Sequence, residues 1–165
     1  MGIHLLRPTR PRSGLRRLAV AASIAALPVF GTPSLLAAAP RDLVVVAANN
    51  FPVDALTKED IQLIYLGKKR AIGGTPVSAV DQSDTSPIKR DFLAQIMGVS
   101  HGEYRAQLLA RRFQEGAVTP KFASNSAEVL AEVWMTTGAV GYVYRSELGS
   151  RPGIKVLFAV PTRSP

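Results

Sequence analysis

The sequence predicts an α/β domain, a mixed, mostly parallel sheet flanked by helices. Three observations predict it. LVVVAA (43–48), PVSAVD (76–81), AVGYVYR (139–145) and IKVLFAV (154–160) are short apolar runs rich in β-branched residues, bounded by turn residues. Between them lie stretches with helical apolar spacing and helix-end chemistry. The resulting order, β-α-β-α-α-α-β-β, alternates strands with helices and so favours a sheet covered by helices.

The 165-residue chain is long enough for one domain. Its first 39 residues contain five arginines (Arg7, Arg10, Arg12, Arg16 and Arg17) and no acid. They lead into LAVAASIAALPVFGTPSLLAAA, an apolar stretch ending in small residues. That is the pattern of a secretory signal peptide. Pro28, Gly31 and Pro33 interrupt the stretch, and a spanning helix prefers ~20 unbroken apolar residues. Removal is therefore favoured over a retained anchor. Cleavage is placed within 37–39, the mature domain at 40–160 and a frayed tail at 161–165.

Residues 40–165 carry 15 Lys and Arg against 12 Asp and Glu, a net charge of +3. Most of the whole-chain excess of +8 thus belongs to the leader, and the high pI gives no support for nucleic-acid binding. Cysteine is absent, which excludes disulfides, thiolate metal sites and cysteine nucleophiles.

Taken in order, LVVVAA is a buried strand. Thr57, with Asp60 three residues on, caps a helix that carries Ile61 and Ile64 inward and ends at Gly67. KKRAIGGT (68–75) reads as a basic loop, its bases a solvated run or a guide for an anion. Pro87 opens a helix over 87–98, at the first position where its missing N–H is not needed. Ser100 and Glu103 form a capping box for a helix over 100–114, with Tyr104, Leu108, Leu109 and Phe113 facing inward and Arg105, Arg111 and Arg112 on a wet face. Residues 115–125 read as irregular or at most a short strand. Ser124 or Ser126 caps a helix over 126–138, in which Trp134 and Met135 fit core spacing.

The stretch DQSDTSPIKRDF (81–92) raises the functional question. A helix start leaves backbone N–H groups unpaired and carries a partial positive charge, which together suit an anion. Ser83, Thr85 and Ser86 add hydroxyls, Ile88, Lys89 and Arg90 supply free amides, and Lys89 and Arg90 add charge. The plain alternative is a capped helix: Ser86 as cap, Asp84 answering the dipole, and Asp81 and Asp84 repelling an anion. Asn49 and Asn50 follow the first strand, where open α/β sheets bind ligands, and serve equally as turn formers.

Three stretches resemble one family. LTKEDIQLIYLGKK (56–69), VSAVDQSDTSPIKRDFL (77–93) and SAEVLAEVWMTTGAVGYVYRSEL (126–148) are similar to successive segments of periplasmic phosphate-binding proteins of ABC transporters. The resemblance implies one lobe of a type II periplasmic-binding-protein fold, and binding of phosphate or a similar oxyanion without catalysis. Two departures accompany it. Full members are about twice this size and have two lobes. The loop here is SDTSPIKR rather than Ser-Gly-Thr, with Asp81 near the place of an anion-pairing arginine.

Enzyme signatures are missing. His4 and His101 are isolated, and no nucleophile elbow, Walker loop, dinucleotide fingerprint or metal-ligand spacing occurs. The expectation is a periplasmic binding module with no metal and no cofactor. The competing expectation is an envelope protein-interaction module that has lost its ligand. Partners are then a phosphate-like oxyanion, an envelope protein or a second copy. Nucleic acid is not expected, nor stable membrane insertion after signal cleavage.

Overall fold

A computed structural model describes residues 42–115 and 118–160. The expected signal peptide at 1–39 and the expected frayed tail at 161–165 lie outside the described residues. Strand β1 (Leu43–Ala48) is followed by α1 (Lys58–Tyr65) and a hairpin of β2 (Ala71–Ile72) and β3 (Thr75–Pro76). Next come β4 (Ser78–Gln82) and α2 (Pro87–Phe92), which runs on as a π-helical segment, Leu93–Met97. Then follow α3 (His101–Glu115), β5 (Lys121–Ala123), α4 (Ser126–Met135), β6 (Ala139–Tyr144), α5 (Arg145–Leu148) and β7 (Ile154–Ala159).

Five strands form one mixed sheet in the order β5-β4-β6-β1-β7. β4 runs parallel to β5 and β6, while β1 runs antiparallel to β6 and β7, so parallel and antiparallel pairings are equal in number. β1 has a neighbour on each side and is buried along its whole length, which is why its sequence is apolar without alternation. Leu43, Val45 and Ala47 face one core, with Ile61, Ile64, Phe92, Ile96, Tyr104 and Tyr142. Val44 and Val46 face a second core with Val129, Leu130, Val133 and Val143 under α4. Both cores are built from residues within 43–160.

Helix ends largely follow the local chemistry. Thr57 and Asp60 form a reciprocal capping box on α1, and Ser100 and Glu103 do the same ahead of α3. Asn125, rather than either serine, caps α4 through its side-chain oxygen. Gly73 and Gly74 both have positive φ and close the β2–β3 hairpin, so the stretch expected as a loop contains a two-residue turn of the Gly-Gly kind. Gly141 serves a different need. A Cβ there would stand 2.4 Å from Val129 Cγ1, so its absence lets α4 lie against β6.

Four inward expectations do not hold. Leu109 and Phe113 are exposed, as are Trp134 and Met135. Among the described side chains of α3 only Tyr104 is buried, with Leu108 half-buried. α4 buries Val129, Leu130 and Val133, and its last turn carries Trp134 and Met135 off the sheet. Among the described residues, no helix is long and apolar enough to cross a membrane.

Candidate functional site

The parallel strands β4 and β6 end side by side, and each feeds a helix. A cleft of about 460 Å³ opens there between the first turns of α2, α4 and α5. α2 contributes Ser86, Pro87 and Ile88; the turn into α4 contributes Ser124, Asn125 and Ser126. Gln82, Tyr144, Ser146 and Glu147 complete the lining from the strand ends and α5. Five of these ten side chains, Ser86, Ser124, Ser126, Ser146 and Asn125, are neutral hydrogen-bonding groups near helix starts. Glu147 is the one charged side chain in the lining.

A hydrogen-bonded circuit forms the floor. Ser126 donates its hydroxyl to Glu147 Oε2 at 2.7 Å and accepts from Gln82 Nε2 at 3.3 Å. Gln82 Nε2 also donates to the Tyr142 carbonyl at 2.9 Å, and the Tyr144 amide donates to Glu147 at 3.1 Å. The Tyr144 hydroxyl reaches Asp91 at 2.6 Å. The circuit ties β4, β6, α4 and α5 together.

Behind the cleft, Asp81 and Lys89 form a buried ion pair. Asp81 also accepts from the Tyr142 hydroxyl at 2.6 Å and from the Gln82 amide at 2.9 Å. The Lys89 ammonium lies 3.7 Å from Asp84 and 5.0 Å from the Tyr104 ring centroid. Phe92 stacks on Tyr142 at 4.0 Å, and Tyr65 packs against both. Burial, with the neighbouring Asp81 charge second, pushes the Tyr65, Tyr104 and Tyr142 phenols well above the ordinary tyrosine range. Asp84 hydrogen-bonds His101 Nε2 at 2.9 Å, and that bond holds its carboxyl below the usual range.

The six residues singled out in the sequence are not brought together. Ser86 and Ile88 line the cleft. Ser83 and Thr85 pair with each other at 3.1 Å, away from its lining. Arg90 is exposed on α2. Lys89 is 3% exposed and its ammonium is committed to Asp81. The amides differ as well. Lys89 N–H is taken by Ser86 Oγ at 3.3 Å, and Arg90 N–H reaches the Ser86 carbonyl at 3.5 Å. Pro87 has none, so Ile88 alone retains an amide without a helical acceptor. Asp84 does not fold over that amide but turns to His101.

Asn49 and Asn50 lie at the far end of the sheet, because β1 runs opposite to β4 and β6. Lys69 pairs with Asp60 at 2.6 Å, leaving Lys68 and Arg70 as the exposed bases of that run. Sequence reasoning missed Gln82, Ser146 and Glu147, and treated Ser124 and Ser126 only as caps. Their signal lay in following the end of each parallel strand into the next helix. Among the described residues, no three His, Asp or Glu side chains are grouped to hold a metal ion.

No family model and no curated protein matches the sequence. Solved structures do match. A PstS from Borrelia burgdorferi superposes with a TM-score of 0.54 at 13% identity, covering 70% of this chain and 46% of that one. An ABC-type phosphate transport receptor from Vibrio cholerae gives 0.53 at 19%, with coverage of 70% and 44%. A protein from Clostridium perfringens assigned as a phosphate ABC transporter substrate-binding protein, with bound phosphate, gives 0.52 at 18%, with coverage of 73% and 55%. The fold is that of part of a phosphate-binding protein. The chain spans about half the length of each of these structures.

Proposed function

We propose that this chain is a non-catalytic periplasmic solute-binding module of the phosphate-binding type, whose cleft between α2, α4 and α5 holds a small oxyanion through neutral donors. The observation that carries this reading is the concentration of four serine hydroxyls and the Asn125 side chain beyond the carboxyl ends of three parallel strands, β4, β5 and β6. The Ile88 amide and the first-turn amides of α4, at Ser126 and Ala127, face no helical acceptor and add to the donors. The α4 dipole favours a negative guest at the same place. In this reading Ser86 and Ile88, which line the cleft, act as donors. Lys89 acts from behind, fixing the loop that presents Ser86. Ser83, Thr85 and Arg90 serve as the approach rather than the seat.

Glu147 is the obstacle and supplies the test. A carboxylate 4 Å from an anion opposes it by ~1 kcal/mol in bulk water and by ~4 kcal/mol at an effective dielectric constant of 20. Wild-type affinity for phosphate is therefore expected to be weak, and Glu147→Gln is expected to raise it by about fivefold or more. Isothermal titration with phosphate and sulfate measures both. Silence of both proteins at millimolar phosphate rejects the reading.

A second reading, an envelope protein-interaction module without a ligand, is favoured by the Asp81–Lys89 pair, which neutralises the cation nearest the α2 start. Under it, Glu147→Gln binds no anion, and Ser86→Ala has no effect beyond the loss of a cap, ~1 kcal/mol.

A further inference from the structure

α3 is the longest helix of the domain at 15 residues, yet only Tyr104 among its described side chains is buried. Helices of this length are marginal in water and usually owe their stability to a packed face. α3 has one apolar face on the core, at Tyr104 and Leu108, and carries further apolar side chains on the opposite side. Leu109 is 48% exposed and Phe113 is 85% exposed, one turn apart, with Ala106 and Ala110 beside them, also exposed. Arg105 and Arg112 flank this strip, and both are exposed.

Basic side chains border the strip. α3 carries Arg105, Arg111 and Arg112 against Glu103 and Glu115, a net charge of +1, and Arg105 and Arg112 are the two that stand exposed beside Leu109 and Phe113. The strip is narrow and lies on a convex helix surface, not in a groove. A bilayer interface accepts isolated Phe and Leu side chains without a matching shape, and its anionic headgroups complement the arginines.

We propose that the outward face of α3, formed by Arg105, Leu109, Arg112 and Phe113, docks the domain on an anionic lipid surface. The cleft takes no part in this contact. Binding is peripheral: α3 lies along the interface with Phe113 and Leu109 entering it and the arginines at headgroup level.

The test uses residues 40–165, which contain both cores and leave out the arginine-rich leader. Co-sedimentation compares vesicles of phosphatidylcholine with vesicles containing phosphatidylglycerol, at low and at 0.5 M salt. Binding to the anionic vesicles alone, weakened by salt, is expected. Arg105→Glu/Arg112→Glu is expected to reduce it about 20-fold or more, and Leu109→Ala/Phe113→Ala to reduce it as well. A reporter guards against a variant that fails to fold: with Trp134→Phe as background, Phe113→Trp emission should shift to the blue on anionic vesicles. No binding to anionic vesicles, equal binding to neutral ones, undiminished binding by both folded double variants, or an unshifted reporter would each overturn the proposal. A dimer abolished by Phe113→Ala without vesicle binding would overturn it in favour of a second copy.

Discussion

Replacing Lys89 by methionine separates the two roles a lysine can play beside a helix start. The substitution keeps an apolar stem of similar length and removes the ammonium, which lies 5.0 Å from the Tyr104 ring centroid. Asp81 then stays buried with the Tyr142 hydroxyl at 2.6 Å and the Gln82 amide at 2.9 Å as its remaining donors. Removing one member of a buried pair costs roughly 3–5 kcal/mol. Two surviving donors place the expected loss near the lower end, about 3 kcal/mol, a large fraction of the ~5–15 kcal/mol that stabilises a typical domain. With a urea m-value of about 1–3 kcal/mol/M, the midpoint should fall by about 1–3 M. Asp81→Asn in the Lys89→Met background keeps an acceptor for Tyr142 and removes the stranded charge, so it should recover at least about half of the loss. Urea unfolding of the two single variants and the double variant gives the coupling energy. A Lys89→Met loss below about 1 kcal/mol, with phosphate binding abolished, would refute the reasoning. It would mean that the ammonium faces the cleft and that the pair with Asp81 does not form.

Two further perturbations probe the same architecture. Unfolded tyrosines ionise near pH 10, while Tyr65, Tyr104 and Tyr142 are held above that value in the fold. Their contribution is therefore complete below pH 10 and declines as pH rises beyond it. Tyr142→Phe should lower the starting stability by removing the bond to Asp81, but flatten the decline by up to one proton, ~1.4 kcal/mol per pH unit. Urea midpoints between pH 9 and 12 measure this, and an unchanged slope would contradict it. Gly141→Ala places a methyl group 2.4 Å from Val129 Cγ1 and 3.1 Å from Val133 Cγ2. The overpacking should cost ~1–3 kcal/mol in thermal unfolding, and Val129→Ala in the same chain should return part of it; a neutral Gly141→Ala would mean that α4 does not press on β6.

The legible part of the fold was the part governed by local chemistry. LVVVAA reads as a buried strand because every residue meets one core or the other. Thr57 and Asp60, Pro87, and Ser100 and Glu103 mark helix starts because capping is settled within four residues. Misread elements depended on distant neighbours. Phe113 and Trp134 have core-like spacing, but spacing does not tell how far a helix extends past the sheet it packs on. The direction of β1 was hidden as well. An apolar strand reads alike in either direction, and its antiparallel course is what sends Asn49 and Asn50 away from the cleft. In the candidate site, the sequence drew attention to the charges of one loop. It could not show that Asp81 points inward and draws Lys89 after it, since a pair eight residues apart forms only once α2 docks on β4.

The weight of the ligand question thereby moves from the start of α2 to the junction of α4 and α5. At α2 the donors are largely occupied: one amide by Ser86, one by the helix, the ammonium by Asp81. At the junction the donors are also partnered, but their acceptor is Glu147, which receives the Ser126 hydroxyl and the Tyr144 amide on one oxygen. An arriving anion competes with that carboxylate for the same hydrogen atom while also being repelled by it. Glutamine at 147 weakens both effects together, because a neutral amide oxygen is a poorer acceptor than a carboxylate and carries no charge. The chain also enters and leaves the sheet beside this junction: Leu43 is in register with Tyr144, and Val160 donates to the Leu43 carbonyl. The two chain connections and the polar cleft thus share one end of the sheet.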